Sequence, residues 1–244
     1  MSGHSHFRTI KHKKELEDQK RGQIFSKLSR LISIAAAKGA DPDKNSALKQ
    51  ALEEAKKFNM PKENIERAIK RGTGQLKDEA ELFEVTYETI GPKGEMAILE
   101  GITDNKNRAL AEVKNILQRN GWKLADQGTL KWMFQKMGSI TIDGSNFLQT
   151  GKSKEEIELL AIEAGAEDLT WQNNELDIFF APEKLGEVKE NLLKYGFTIL
   201  EENIILVPNN PLEIPENEKE KYQKLFEQLL DTETIQNIYS NLNI

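Results

Sequence analysis

Apolar residues in the first third of the chain recur at helical spacing. Between residues 19 and 38, Ile24, Leu28, Leu31, Ile32, Ala35 and Ala36 fall at i, i+4, i+7, i+8, i+11 and i+12, which predicts an amphipathic helix ended by Gly39. A second helix is predicted over 46–58, with Ala47, Leu48, Ala51, Leu52, Ala55 and Phe58 on one side and Asn45 as its N-cap. A third is predicted over 61–71, opening on Pro61 and closing on Gly72, with Ile65, Ala68 and Ile69 turned inward. Three amphipathic helices with short connections make a small bundle.

From residue 82 the period changes to two. Phe83, Val85 and Tyr87 alternate with Glu84, Thr86 and Glu88, and the turn Gly91-Pro92-Lys93-Gly94 returns the chain, so 82–102 reads as a hairpin. A helix follows at 106–119, and Leu130, Trp132 and Phe134 alternate as a further strand. Residues 139–207 then read βαββαβ, with strands at 139–143, 168–172, 176–180 and within 197–207. Their helices lie at 154–164, where Ser153 and Glu156 form a capping box, and at 182–194. A last helix at 216–230 and a short strand around Ile235, Ile238 and Tyr239 are too small to stand alone. The segment 82–136 lacks a second helix, so the C-terminal piece is expected to complete it, the alternative being a sequential arrangement with a loose tail. The expected architecture is α+β: a three-helix bundle at 1–79, an α/β domain from 80–136 plus 208–244, and a ferredoxin-like α/β domain at 137–207 inserted in the middle one. Both α/β domains are expected to be ferredoxin-like.

The residue inventory removes whole classes of chemistry. There is no cysteine, and the three histidines are His4, His6 and His12, all in the first dozen residues. Thiolate chemistry, histidine triads and three-histidine zinc sites are therefore excluded from the body of the chain. Neither a P-loop nor GxGxxG is present. No catalytic residue, metal site or cofactor is expected, and the chain reads as a non-enzyme. With no apolar run of membrane-spanning length and no signal-peptide pattern, the expected location is the cytoplasm, without a membrane partner.

Charge changes the picture most. Residues 1–78 carry 18 basic and 10 acidic side chains, a balance of +8, although the whole chain is −6 and the remainder therefore −14. A basic head on an acidic body suits a head that seeks phosphate and a body that offers itself to protein. The candidate nucleic-acid contacts are Arg8, Lys11, His12, Lys13, Lys14, Lys20, Arg21, Lys27 and Arg30 along the arm and first helix. Lys62, Asn64, Arg67, Lys70 and Arg71 join them on the third helix. The second and third helices join through Asn59-Met60, as in a helix-turn-helix. Asn105, Lys106 and Arg108 form a second candidate cluster at a helix start, where helix capping is the simpler role. These cations serve DNA and structured RNA equally, and a partner protein on the acidic body is a third possibility.

Several runs match a known family. Ile10-Lys11-His12-Lys13-Lys14, Lys20-Arg21-Gly22, Phe25-Ser26-Lys27-Leu28 and above all 59–74, NMPKENIERAIKRGTG, resemble the YebC/PmpR family, as do Thr103-Asp104-Asn105-Lys106-Asn107-Arg108 and Gln236-Asn237-Ile238-Tyr239. The resemblance spans essentially the whole chain. It implies a helical bundle with two related α/β domains and a cytoplasmic transcriptional regulator that binds DNA. It also implies kinship with mitochondrial translational activators of cytochrome oxidase and with ribosome-associated bacterial proteins, so the alternative is a translation factor that contacts RNA.

Overall fold

The computed structural model describes residues 18–76, 79–149 and 151–243, without the side chains of Asp18, Gln19, Lys20, Asn146 and Gln149. The fold is α+β, and its described part forms two compact units. One comprises residues 18–127 with 217–238, the other 128–216 with 239–243.

In the first unit, α1 (Asp18–Ala37) is the hub of the bundle. Helices α2 (Ser46–Lys57) and α3 (Lys62–Gly72) both pack on it more extensively than on one another. Its core is small-residue rich: Leu28, Ile32, Ala35 and Ala36 meet Leu48, Ala51, Ala55, Met60 and Ala68. Asn45 locks the first corner. Its Oδ1 accepts the Leu48 N–H at 3.1 Å, and its Nδ2 donates to the Ala35 and Gly39 carbonyls at 2.8 and 2.7 Å. Asn59, at φ +54°, turns the chain between α2 and α3, and the Met60 N–H returns to the Ala55 carbonyl at 2.9 Å. Ala47, expected on the inner side of α2, is exposed at its first turn. Gly72 belongs to the last turn of α3. A Cβ there would stand 2.1 Å from the Ser33 carbonyl oxygen, so close approach to α1 is what demands glycine.

The sheet of this unit runs β3-β1-β2-β9, with β1 (Phe83–Ile90), β2 (Met96–Thr103), β3 (Lys123–Leu124) and β9 (Ile235–Ser240). The β1–β2 hairpin pairs Phe83 with Thr103 through to Ile90 with Met96. Helices α4 (Lys106–Arg119) and α8 (Glu216–Leu230) supply Ala109, Val113, Leu117, Tyr222, Leu225, Phe226 and Leu229 to its core. Trp122 meets Tyr222 and Phe226 edge-on, with centroids 6.4 and 6.1 Å apart. The C-terminal return thus completes the sheet, as element counting required.

A carboxylate is buried at the hairpin turn. Glu95 is fully covered; its Oε1 accepts the Tyr222 hydroxyl at 2.5 Å and its Oε2 the Lys93 N–H at 2.6 Å. Burial pushes its pKa up. Hydrogen bonds from Tyr222 and the backbone, with the nearby Lys93 charge, outweigh burial and hold it below the ordinary glutamate value.

The second unit contains the antiparallel sheet β5-β6-β4-β7, formed by β4 (Phe134–Asp143), β5 (Asp168–Gln172), β6 (Glu175–Phe180) and β7 (Thr198–Pro208). With α6 (Lys154–Ala164) and α7 (Leu185–Lys194) in the crossovers, this is the ferredoxin-like order expected for 137–207. Ile140, Ile142, Leu176, Ile178 and Phe180 pack under Ile157, Ala161, Val188 and Leu192. The capping box forms as written in the sequence: Ser153 N–H to Glu156 at 2.7 Å, and Glu156 N–H to Ser153 Oγ at 3.3 Å. A short helix, α5 (Ser145–Gln149), precedes α6, and a two-stranded parallel pair joins β8 (Leu212–Glu213) to β10 (Leu242–Asn243).

The strand expected over Leu130, Trp132 and Phe134 is corrected. Residues Lys131–Met133 form one tight helical turn, and β4 runs unbroken from Phe134 to Asp143 in the second sheet. Leu130 is buried while Trp132 is 72% exposed. The Asn209 side chain and N–H bind the Trp132 and Met133 carbonyls, both at 2.8 Å, and hold that turn. A tight turn has three residues per turn, so positions two apart do not share a side, and Trp132 leaves the side on which Leu130 and Phe134 are buried. The helix expected from 182 begins instead as a tight turn at Pro182–Lys184 and becomes α7 at Leu185.

Two outcomes follow from these packings. Gly72→Ala is expected to destabilise the protein by roughly 1–3 kcal/mol in urea unfolding, because α3 must move away from Ser33. Glu95 has a lowered folded pKa, so its contribution is complete above its ordinary value of 4.5 and is lost as pH falls through the folded value. Glu95→Gln should therefore lower stability at pH 7 by about 1–3 kcal/mol and flatten the decline below pH 4.5 in unfolding curves.

Candidate nucleic-acid interface

The basic residues of the bundle divide by position on its helices. On α3, Ile65, Ala68 and Ile69 face α1, which leaves Asn64, Arg67 and Arg71 as one stripe at i, i+3 and i+7. Lys62 and Lys70 flank it. Lys62, Asn64, Arg67 and Lys70 are exposed; Lys62 stands 3.7 Å from Glu66, an exposed pair of little energetic weight. Asn64 and Arg67 sit side by side, but Arg67 is engaged. Its Nε and Nη2 reach Glu79 Oε1 at 2.9 and 2.7 Å. Arg71 is more covered: its Nη2 donates to the Ala80 carbonyl at 2.7 Å, and its Nε lies 3.3 Å from Glu79 Oε2.

On α1 the cations split. Arg21 is exposed and lies over the Phe25 ring at 5.9 Å. Lys27 and Arg30 point inward. The Lys27 ammonium donates to the Leu230 carbonyl and, at 2.5 Å, to the Ile235 carbonyl. Arg30 is 8% exposed; it donates to the Ile102 carbonyl at 3.1 Å and to Glu233 at 2.5 Å. Both thus fasten α1 to β2 and to the C-terminal return, and neither is placed on the exposed stripe. Lys20 lies on α1, its side chain outside the described residues, and Arg8, Lys11, His12, Lys13 and Lys14 lie outside them altogether.

The second cluster is geometrically a cap. Asn105 Oδ1 accepts the Arg108 N–H at 3.0 Å, the Arg108 guanidinium pairs with Asp104 at 2.6 Å, and the Lys106 ammonium lies 4.6 Å from the Phe83 ring centroid. All three side chains thus have local partners. Glu79 and Glu233, which decide what the arginines do, were not singled out by sequence reasoning. An acid several residues past a helix end has no periodic signal, and Glu233 lies 203 positions from Arg30.

Comparison with known proteins agrees over the full length. Residues 5–75 match the family model described as the TACO1/YebC protein N-terminal domain, and residues 82–242 match the TACO1/YebC second and third domain. The chain is 44% identical to a protein named probable transcriptional regulatory protein from Caldanaerobacter subterraneus subsp. tengcongensis, covering 100% of this chain and 99% of that one. It is 42% identical to another of that name from Thermoanaerobacter pseudethanolicus, covering 100% and 98%. The crystal structure of a conserved hypothetical protein from Aquifex aeolicus, 38% identical, superposes with a TM-score of 0.83 over 97% of this chain and 96% of that one.

The two kinds of cation should separate on mutation. Arg30→Met leaves Glu233 and the Ile102 carbonyl without their partner and is expected to cost roughly 2–4 kcal/mol in denaturant unfolding. Lys70→Gln on the exposed face should change stability by less than about 0.5 kcal/mol.

Proposed function

The chain belongs to the TACO1/YebC family, and from that premise we propose that it regulates gene expression in the cytoplasm by binding DNA through its basic helical head. The observation that carries this reading is the exposed α3 face, Lys62, Asn64, Arg67 and Lys70, within residues 1–78, whose charge is +8 against −14 for the rest. The arm cations Arg8, Lys11, His12, Lys13, Lys14 and Lys20, with Arg21 on α1, extend that charge in sequence. Phosphate contacts by such residues release counterions and position the head on a duplex. Asn64 is the residue suited to a base edge. The acidic remainder is left for a protein partner. The proposal includes no catalytic step and no cofactor. Its division into modules is 1–79, 80–136 with 208–244, and 137–207. No described helix is long and apolar enough to cross a membrane.

A second reading is a ribosome-associated translation factor that contacts RNA. The same exposed cations favour it, because the phosphates of structured RNA engage them as readily as those of a DNA duplex.

Neutralising Lys11, Lys13, Lys14, Lys20 and Arg21 together is expected to weaken nucleic-acid binding at least tenfold and to flatten its salt dependence. Fluorescence anisotropy across a salt series checks this; an unchanged slope in the folded variant would contradict the proposal. Sedimentation of a gentle lysate with and without ribonuclease tests the second reading: co-migration with ribosomes that survives washing favours RNA, and a protein confined to the top fractions weakens the ribosome reading and leaves DNA to be tested by genomic DNA-binding assays.

A further inference from the structure

We propose that Glu79 is a built-in competitor for phosphate, occupying the anion position between Arg67 and Arg71 until nucleic acid displaces it. The inference rests on the reading of α3 as a nucleic-acid-facing helix and assigns that site its regulation. Arg67 and Arg71 are one helical turn apart on the same stripe, where like charges repel. One carboxylate relieves both. Glu79 Oε1 takes both the Nε and Nη2 of Arg67, at 2.9 and 2.7 Å, so two N–H groups that could fork onto two phosphate oxygens converge on one carboxylate oxygen. Glu79 Oε2 faces the Arg71 Nε at 3.3 Å, but that N–H, although buried, makes no hydrogen bond. The carboxylate therefore satisfies Arg67 and leaves Arg71 short of a partner.

The two arginines are held unequally. The side chain of Arg71 is 21% exposed, and the Ala80 carbonyl anchors its Nη2 at 2.7 Å, so it stays in place when the anion changes. The side chain of Arg67 is 74% exposed and its described partner is Glu79, so it is the group that can exchange a carboxylate for a phosphodiester. A phosphodiester spreads its two charged oxygens tetrahedrally about phosphorus, wider than a carboxylate, so that one can face Arg67 while the other meets the unaligned Arg71 N–H. Glu79 lies in the segment between α3 and β1, outside both elements. Its removal thus takes away a competing charge without deleting a helix or strand residue. A purely structural clasp would show itself differently, as a loss of stability with no gain in binding.

The test is fluorescence anisotropy of a labelled 20-base-pair duplex across a salt series, using the full chain, Glu79→Gln and the double variant Arg67→Gln/Glu79→Gln, with folding checked by circular dichroism. Glu79→Gln is expected to tighten binding about three- to tenfold at low salt and to steepen the log–log salt slope by about one, the equivalent of one more phosphate contact. The double variant should lose that gain. Binding by the native chain with affinity and slope unchanged in Glu79→Gln would overturn the masking role alone. No binding by either form would overturn both this inference and the nucleic-acid reading beneath it. Should Glu79→Gln not fold, Arg67→Gln in the native background decides: a masked guanidinium leaves the slope unchanged, and an available one lowers it by about one.

Discussion

Two cations on the inner side of α1 hold the first unit together. Lys27 and Arg30 are drawn from water, and a charge in that position is tolerable only when its hydrogen-bonding capacity is met. The Lys27 ammonium meets carbonyls at Leu230 and Ile235, the first of which lies at the end of α8, where helix carbonyls lack internal partners and the helix dipole is negative. Arg30 joins the Ile102 carbonyl of β2 to Glu233. The helix that organises the bundle is thereby tied both to the hairpin sheet and to the segment that closes it. Bundle, sheet and C-terminal return lie in one compact unit, and these bonds cross between them. Contacts between residues more than 200 positions apart also carry a loop-closure cost, so this closure is expected to form late in folding.

The same bonds redistribute the positive charge. The head is rich in lysine and arginine, yet its cations do three different things. Lys27 and Arg30 support the fold. Arg67 and Arg71 share an acid from the following segment. Arg21, Lys62 and Lys70 are exposed. A count of basic residues therefore overstates the charge displayed to a ligand, and the field felt at the surface depends on where Glu79 and Glu233 sit. A binding face built in this way has adjustable strength, since it combines exposed lysines with an arginine pair already engaged by a carboxylate.

Local devices were legible in the sequence where one short stretch contains both partners. Asn45 as a cap, Ser153 with Glu156 as a capping box and the helical periodicity of 106–119 each involve groups within a few residues of one another. Gly72 was legible as a helix end for an incomplete reason: its constraint is the Ser33 carbonyl on a different helix. The alternation of Leu130, Trp132 and Phe134 was misleading because three positions cannot distinguish a strand from a tight turn, and Asn209, far along the chain, holds the turn.

The sequence by itself determined the order of the longer helices and strands, the change of period from helix to strand, the ferredoxin-like order of 137–207 and the basic head on an acidic body. These follow from spacing and composition, which act over a few residues or over whole segments. Only the tertiary structure decided which cations are structural and which face outward. Lys27 and Lys70 have the same chemistry, and their difference lies in what the fold brings within hydrogen-bonding distance. Helical periodicity put Arg30 among the polar positions of its helix, but packing buried it because Glu233 and the Ile102 carbonyl compensate its charge there. A buried charge is located by its partners, and those partners are non-local in the chain.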